Sequence, residues 1–166
     1  MYTKELKVAE ELAYKAGNIM LEYFDSDKKV EVKEDHSPVT VADMKINSLV
    51  IKVISKEFPE DGVVGEEESN ADYGSGRRWI CDPIDGTIPF VWGVPTSMFS
   101  LGLAIEGKIV LGITYDPFQD KLFTAVTGKG SYCNGKKLTV SNKAELYQAQ
   151  VALTADPNRI READFV

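Results

Sequence analysis

The sequence predicts an α+β fold, with two helices packed on a mainly antiparallel sheet. Two observations carry the prediction. Apolar residues recur at helical spacing twice in the first third of the chain, and short β runs joined by tight-turn residues follow. The chain has 166 residues, 43% apolar and 27% charged, which suits a globular domain able to bury its own core.

Between residues 4 and 24 the apolar side chains are Leu6, Ala9, Leu12, Ala13, Ala16, Ile19, Met20 and Tyr23, one buried stripe of a helix. Val30-Glu31-Val32-Lys33-Glu34 alternates and predicts a short strand, which Asp35-His36-Ser37-Pro38 breaks. Residues 40–57 form the second helix, with Ile46, Leu49, Val50, Val53 and Ile54 facing the core. Thr40-x-x-Asp43 matches a capping box at its start. Pro59 and Asp61-Gly62 stop it.

Val63-Val64-Gly65 is a strand that runs into Glu66-Glu67-Glu68, and residues 69–76 make a polar loop. Arg78-Trp79-Ile80-Cys81-Asp82 is an apolar strand ending on a carboxylate. The runs 97–105 and 109–115 are joined closely enough for a hairpin, and 122–126 is another strand. Asn134-Gly135 signals a type I′ hairpin between 131–133 and 137–140. A last strand is expected over 151–154.

Charge and composition exclude several functions. The formal net charge is −7 and the pI near 4.8, which opposes nucleic-acid binding through a basic face. It also opposes an anionic substrate unless the carboxylates hold cations. Cys81 and Cys133 form no CxxC pattern, so neither a disulfide framework nor a zinc site is indicated, and each is expected to be a small buried residue. The single histidine, His36, excludes an HExxH zinc site and reads as a solvated loop residue. No signal-like apolar segment opens the chain, and no stretch is long and apolar enough to span a bilayer. A cytoplasmic protein with no membrane or nucleic-acid partner is expected.

The chemistry concentrates in Glu66-Glu67 and Asp82-Pro83-Ile84-Asp85-Gly86-Thr87. Two carboxylates three residues apart across a turn can converge on one point. Hard cations such as Mg²⁺ favour such oxygen ligands, completed by a carbonyl such as that of Ile84 and by phosphate and water. Gly86 allows close backbone approach, and Thr87 offers a hydroxyl and an N–H at the start of a short helix, where anions bind. A simple capped turn explains Asp85-Gly86-Thr87 equally well when that segment is taken alone. Asp82 and the upstream Glu66-Glu67 favour the site. For Asp43 the capping box is a sufficient explanation by itself.

With these residues in order, the chain resembles the inositol monophosphatase family of Mg²⁺-dependent, lithium-sensitive sugar-phosphate phosphatases. The matching segments are residues 38–43, Gly65-Glu66-Glu67, residues 79–87, Gly93-Val94-Pro95, residues 112–117, Gly128-Lys129-Gly130, Asn134-Gly135 and Val140-Ser141. The resemblance implies the N-terminal part of an α/β/α/β/α sandwich. Residues 1–150 would be a metal- and phosphate-binding domain, and 151–166 would begin a second α/β domain.

It further implies that Glu66, Asp82 and the Ile84 carbonyl hold a first Mg²⁺, that Asp82 and Asp85 help hold a second, and that Asp43 lies near Thr87 and a third, weaker site. Asp85, Gly86 and Thr87 would bind phosphate, and Glu66, Thr87 and Asp43 would be catalytic. The substrate would be a small phosphorylated metabolite, and the full-length protein a homodimer. The chain departs from the family at Pro89, Trp92 and Asn47, and it lacks the Trp-Asp motif of the second domain. The expectation is therefore an incomplete phosphatase, exposing apolar surface and a strand edge. The alternative is a half-domain that binds metal or phosphate, or pairs with another chain, without turnover.

Overall fold

The structure, a computed structural model, describes residues 2–26, 30–32, 38–70 and 75–150. His36, the expected strand at 151–154 and the start of a second domain at 151–166 lie outside them.

The first helix, α1, spans Thr3–Phe24 and buries Ala9, Leu12, Ala13, Ala16 and Met20, the inner part of the predicted stripe. Strand β1 (Val30–Val32) pairs antiparallel with β2 (Pro38–Thr40). That second strand was not expected: the sequence places Pro38 in a break and Thr40 at the start of the helix. Thr40 then caps α2 (Val41–Glu57), which buries Ala42, Ile46, Val50 and Ile54 together with two polar side chains, Asp43 and Asn47. Both bonds of the capping box form, so this local expectation holds in full.

The main sheet follows. Its strands are β3 (Gly62–Gly65), β4 (Ser69–Asn70), β5 (Arg77–Asp85), β6 (Met98–Ile105), β7 (Lys108–Asp116), β8 (Lys121–Val126), β9 (Gly130–Cys133) and β10 (Lys136–Lys137). A third helix, α3 (Thr87–Val91), interrupts the series after β5. The spatial order is β10-β9-β8-β7-β6-β5-β3-β4. Only β3 and β5 pair in parallel, and every other neighbouring pair in this sheet is antiparallel. The structure therefore bears out an α+β fold with a mainly antiparallel sheet.

Helices α1 and α2 pack together and cover one face of the sheet, α1 over β6 and β7, α2 over β3 and β5. Along β5 the burial alternates at first: Trp79 and Cys81 point into the core, while Arg78 and Ile80 point out. That is the period of a strand with one face buried. The core joins Trp79, Phe99, Leu101, Leu103, Leu111 and Ile113 to the helical stripes. Gly17 lets α1 sit down on β7, since a Cβ there would meet the Tyr115 ring and Pro117.

On the other face of the sheet Val64, Ile80 and Ile109 are exposed among the described residues. The expected edge at a last strand over 151–154 lies outside the described residues. Both outer strands, β4 and β10, are only two residues long, and β10 consists of two lysines. Short, charged edges are poor templates for further pairing.

Four other expectations change. Residues 69–70 are strand because Val63 and Val64 pair with them across the Gly65–Glu68 turn. The 137–140 strand shrinks to Lys136–Lys137. Cys133 lies half-buried near the sheet edge, whereas Cys81 is buried as expected. Strand β5 continues past Asp82 to Asp85. The type I′ turn is present: Asn134 and Gly135 have φ of 47° and 75°, both positive as that turn requires. The Asn134 side chain fixes its register by accepting from the Leu122 N–H at 2.7 Å and donating to the Asp120 carbonyl at 2.8 Å. Among the described residues no helix is long and apolar enough to cross a membrane.

Candidate active site

Three pieces of chain meet at the C-terminal end of β5. The first is β5 itself. Asp82 pairs with Ser100 on β6, but the next register is Asp85 with Met98. Three steps on one strand match two on the other, so β5 carries a bulge between Asp82 and Asp85. In a regular strand, residues three apart point to opposite faces. An extra residue re-aims the side chains that flank it. Pro83 lies within the bulge, where a missing N–H costs the ladder nothing.

The second piece is the turn after β3. Parallel pairing sets Gly65 beside Cys81, and the Glu66 N–H donates to the Cys81 carbonyl at 3.1 Å. The acidic turn is thereby pinned one residue away from Asp82. The third piece is the start of α2, where Asp43 is fully buried. Asp43 Oδ2 accepts from the Thr40 N–H at 2.8 Å and from the Thr40 hydroxyl at 2.5 Å. Helix α3 lies against β2, the strand that ends on Thr40.

Gly86 has a φ of +89° and caps α3, a left-handed conformation that glycine adopts without strain. The buried Ser97 hydroxyl holds this cap by donating to the Gly86 carbonyl at 2.7 Å. The Thr87 hydroxyl donates to the carbonyl of the buried Ile84 at 3.2 Å. Pro89 stands in the first turn of α3, where an N–H has no partner within the helix and its absence is tolerated. Trp92, which follows α3, is largely exposed.

The electrostatics of these residues are one-sided. Burial, then Glu66, then Asp85, and more weakly Asp43 raise the Asp82 carboxyl to about 7. Asp82 also hydrogen-bonds Glu66, and two carboxyl groups can do that only when they share a proton. Burial likewise raises Asp43, against the lowering effect of its Thr40 bonds, and Glu67 adds to the rise. Burial, Asp82 and Glu66 push the Cys81 thiol up, so it is not a nucleophile at neutral pH. Asp43 Oδ1 and Asp82 Oδ1 are buried and accept no hydrogen bond.

A hard divalent cation fits this donor set. The available ligands are oxygens, two of them are buried without hydrogen-bond partners, and Glu66, Asp85 and Asp43 all raise the Asp82 carboxyl. Among the described residues no three acidic, thiol or imidazole groups gather into a preformed cage.

The structure thus gathers Glu66, Asp82, Asp85 and Asp43, with Thr87 bonded to the Ile84 carbonyl and Gly86 at the cap. Sequence reasoning gave Glu67 no role of its own, and Ser97 none at all. Asn47 entered only as a departure from the family. A signal for Asn47 was available: it follows Asp43 by four residues, so two polar side chains interrupt one face of the apolar stripe.

A sheet with helices on one face, carrying an oxygen-rich acidic site beside a glycine-capped short helix, defines the class. The inositol monophosphatase family model matches residues 1–163, and the chain belongs to that family. The chain is 42% identical over 153 residues to a histidinol-phosphatase of Chlorobaculum parvum, covering 92% of this chain and 59% of that protein. Among solved structures, the extragenic suppressor protein suhB from Bartonella henselae superposes with a TM-score of 0.81 at 33% identity, covering 85% of this chain and 56% of that one. An IMPase/NADP phosphatase complexed with Mg²⁺ and phosphate superposes with a TM-score of 0.71 at 30% identity, covering 81% and 52%. The chain therefore spans little more than half the length of these relatives.

Proposed function

We propose that this chain carries the metal- and phosphate-binding half of a Mg²⁺-dependent phosphatase that hydrolyses a small sugar or polyol phosphate monoester. The observation that carries the reading is the pair of buried, unpartnered carboxylate oxygens on Asp43 and Asp82, facing further carboxylates. Family membership and the relative complexed with Mg²⁺ and phosphate support it.

In this reading Glu66, Asp82 and the Ile84 carbonyl would hold one ion, and Asp82 and Asp85 would help hold a second. A third, weaker ion lies near Asp43. Magnesium, when bound, supplies positive charge for the substrate and lowers the pKa of a bound water toward ~7. Asp85, Gly86 and Thr87 bind the phosphate. Glu66 and Thr87 orient the attacking water: the Thr87 hydroxyl donates its hydrogen bond to the Ile84 carbonyl, which leaves its oxygen lone pairs free to accept from water. Asp43 holds Thr40, and through it the end of β2, against α3. The phosphorus is attacked directly, with no phosphoenzyme. Lithium inhibition, a cytoplasmic location and a homodimeric whole protein belong to the same reading.

The test is phosphate release from inositol monophosphate with Mg²⁺, with and without Li⁺, followed by acid quench of a single turnover. Mg²⁺-dependent, Li⁺-sensitive release with no trapped aspartyl-phosphate is expected. A trapped aspartyl-phosphate overturns direct attack. Normal Mg²⁺ binding with no release against a panel of sugar and polyol phosphates makes this chain a non-catalytic metal-binding half.

A further inference from the structure

We propose that Asn47 is a positioning residue: its buried side-chain amide fastens the turn that carries Glu66 and Glu67, and so sets how tightly the site holds a divalent cation. This rests on the metal reading above.

Asn47 lies on α2, four residues beyond Asp43, and is buried. Its Nδ2 donates to the Glu68 carbonyl at 3.1 Å. The Gly65 N–H donates to the same carbonyl at 3.1 Å and closes the turn. The fit is tight, because a Cβ on Gly65 would fall on the Asn47 side chain and on the Glu68 carbonyl. One residue further on, Glu66 is tied to β5 through the Cys81 carbonyl at 3.1 Å. The turn is therefore held on two sides, by β5 at Glu66 and by α2 at Glu68. Between these anchors stand the two carboxylates that act on Asp82 and Asp43: Glu66 on the first, Glu67 on the second.

Stability does not account for the amide. Asn47 Oδ1 is buried and accepts no hydrogen bond, and an orphaned buried acceptor is destabilising. Its neighbours along the buried face of α2 include Ile46 and Val50, so an apolar side chain of similar volume would suit the stripe. What such a side chain lacks is the donor that reaches Glu68.

Asn47→Leu removes that donor and keeps the branched shape of the side chain, though with bulkier methyl groups. Gly65→Ala disturbs the same contact from the other side and serves as the second variant. Hydrogen exchange at the Gly65 and Glu66 amides, without metal, reads the turn. Calorimetric titration with MgCl₂ reads the affinity, and melting reads the fold. Both variants are expected to exchange faster at these two amides, with the rest of α2 as protected as in the unmodified chain. Mg²⁺ affinity is expected to fall about tenfold, equivalent to ~1.4 kcal/mol. A lowered Tm with unchanged Mg²⁺ affinity would make Asn47 merely structural and overturn the proposal, as would unchanged exchange at the turn. An unmodified chain that binds no Mg²⁺ at all overturns the metal reading, and Asn47 then has no ion to position, even where the exchange result stands.

Discussion

A carboxylate with at least one buried oxygen lies near each end of strand β5, and the two are treated in opposite ways. At its start, Asp61 is almost completely buried and both of its oxygens are used. Arg77 donates to one at 2.8 Å and the Trp79 indole N–H to the other at 2.9 Å, while Arg77 also reaches Glu5 at 3.1 Å. At its end, Asp82 Oδ1 is buried with no partner, and the groups around Asp82 are other carboxylates. The shifts follow: the Asp61 bond holds the Arg77 guanidinium above its ordinary value, whereas Asp82 is itself driven up to about 7. A buried charge with its counter-charge built in ties α1, the turn before β3 and β5 together. A carboxylate with a buried oxygen and only like charges acting on it is costly to ionise. Burial alone separates structure from site poorly; the partners separate them.

The sharpest way to break this contrast is Asp82→Asn. The substitution is expected to abolish any rise in Tm on adding MgCl₂ and to reduce Mg²⁺-dependent phosphate release to background, while the metal-free chain melts no lower than the unmodified one. A large loss of metal-free stability would place Asp82 in the same class as Asp61.

Asp61→Ala is expected to do the reverse. It strands the Arg77 charge and the Trp79 N–H, at a cost of about 3 kcal/mol in urea unfolding, and leaves Mg²⁺ affinity unchanged in the folded protein. A cost near zero would remove the structural half of the comparison.

Thr40→Ala tests the intermediate case, Asp43, whose carboxylate has one oxygen satisfied by Thr40 and one left over. Losing the cap should cost about 1 kcal/mol, read by the same unfolding experiment.

The smallest effect is expected at Tyr115. Its hydroxyl donates to Asp120 at 2.9 Å, and burial followed by that bond raises it to about 12. The protonated phenol is the form that folding favours. Its contribution is therefore complete below the unfolded value of ~10 and fades as pH rises through about 12. Absorbance at alkaline pH should show one late-titrating tyrosine that Tyr115→Phe removes. Titration of every tyrosine near pH ~10 would contradict it.

Much of the architecture was legible because it is local. The apolar stripe of α1, the Thr40-Asp43 box and the Asn134-Gly135 turn are each decided within a few residues. The acidic motif was legible as chemistry for the same reason: its residues are adjacent in the chain. What escaped was non-local. Residues 69–70 became strand only because β3 lay beside them, and β5 outran its apolar run because β6 paired with it across a bulge. Ser97 and Asn47 carry no motif, and their roles arise from backbone carbonyls brought to them by the fold.

Asp61 and Asp82 make the final division. The sequence by itself determined that the chain folds as helices on a sheet, that it is acidic, and that it carries a Gly-Glu-Glu and an Asp-Pro-Ile-Asp-Gly-Thr segment of its family. It did not distinguish a carboxylate that would find Arg77 from one that would face Glu66, Asp85 and Asp43. The tertiary structure decided that, through the parallel pairing of β3 with β5 and the bulge at Pro83. The reason is physical: a carboxylate is stabilised or stranded by groups within a few ångströms of it, and those groups lie far away along the chain.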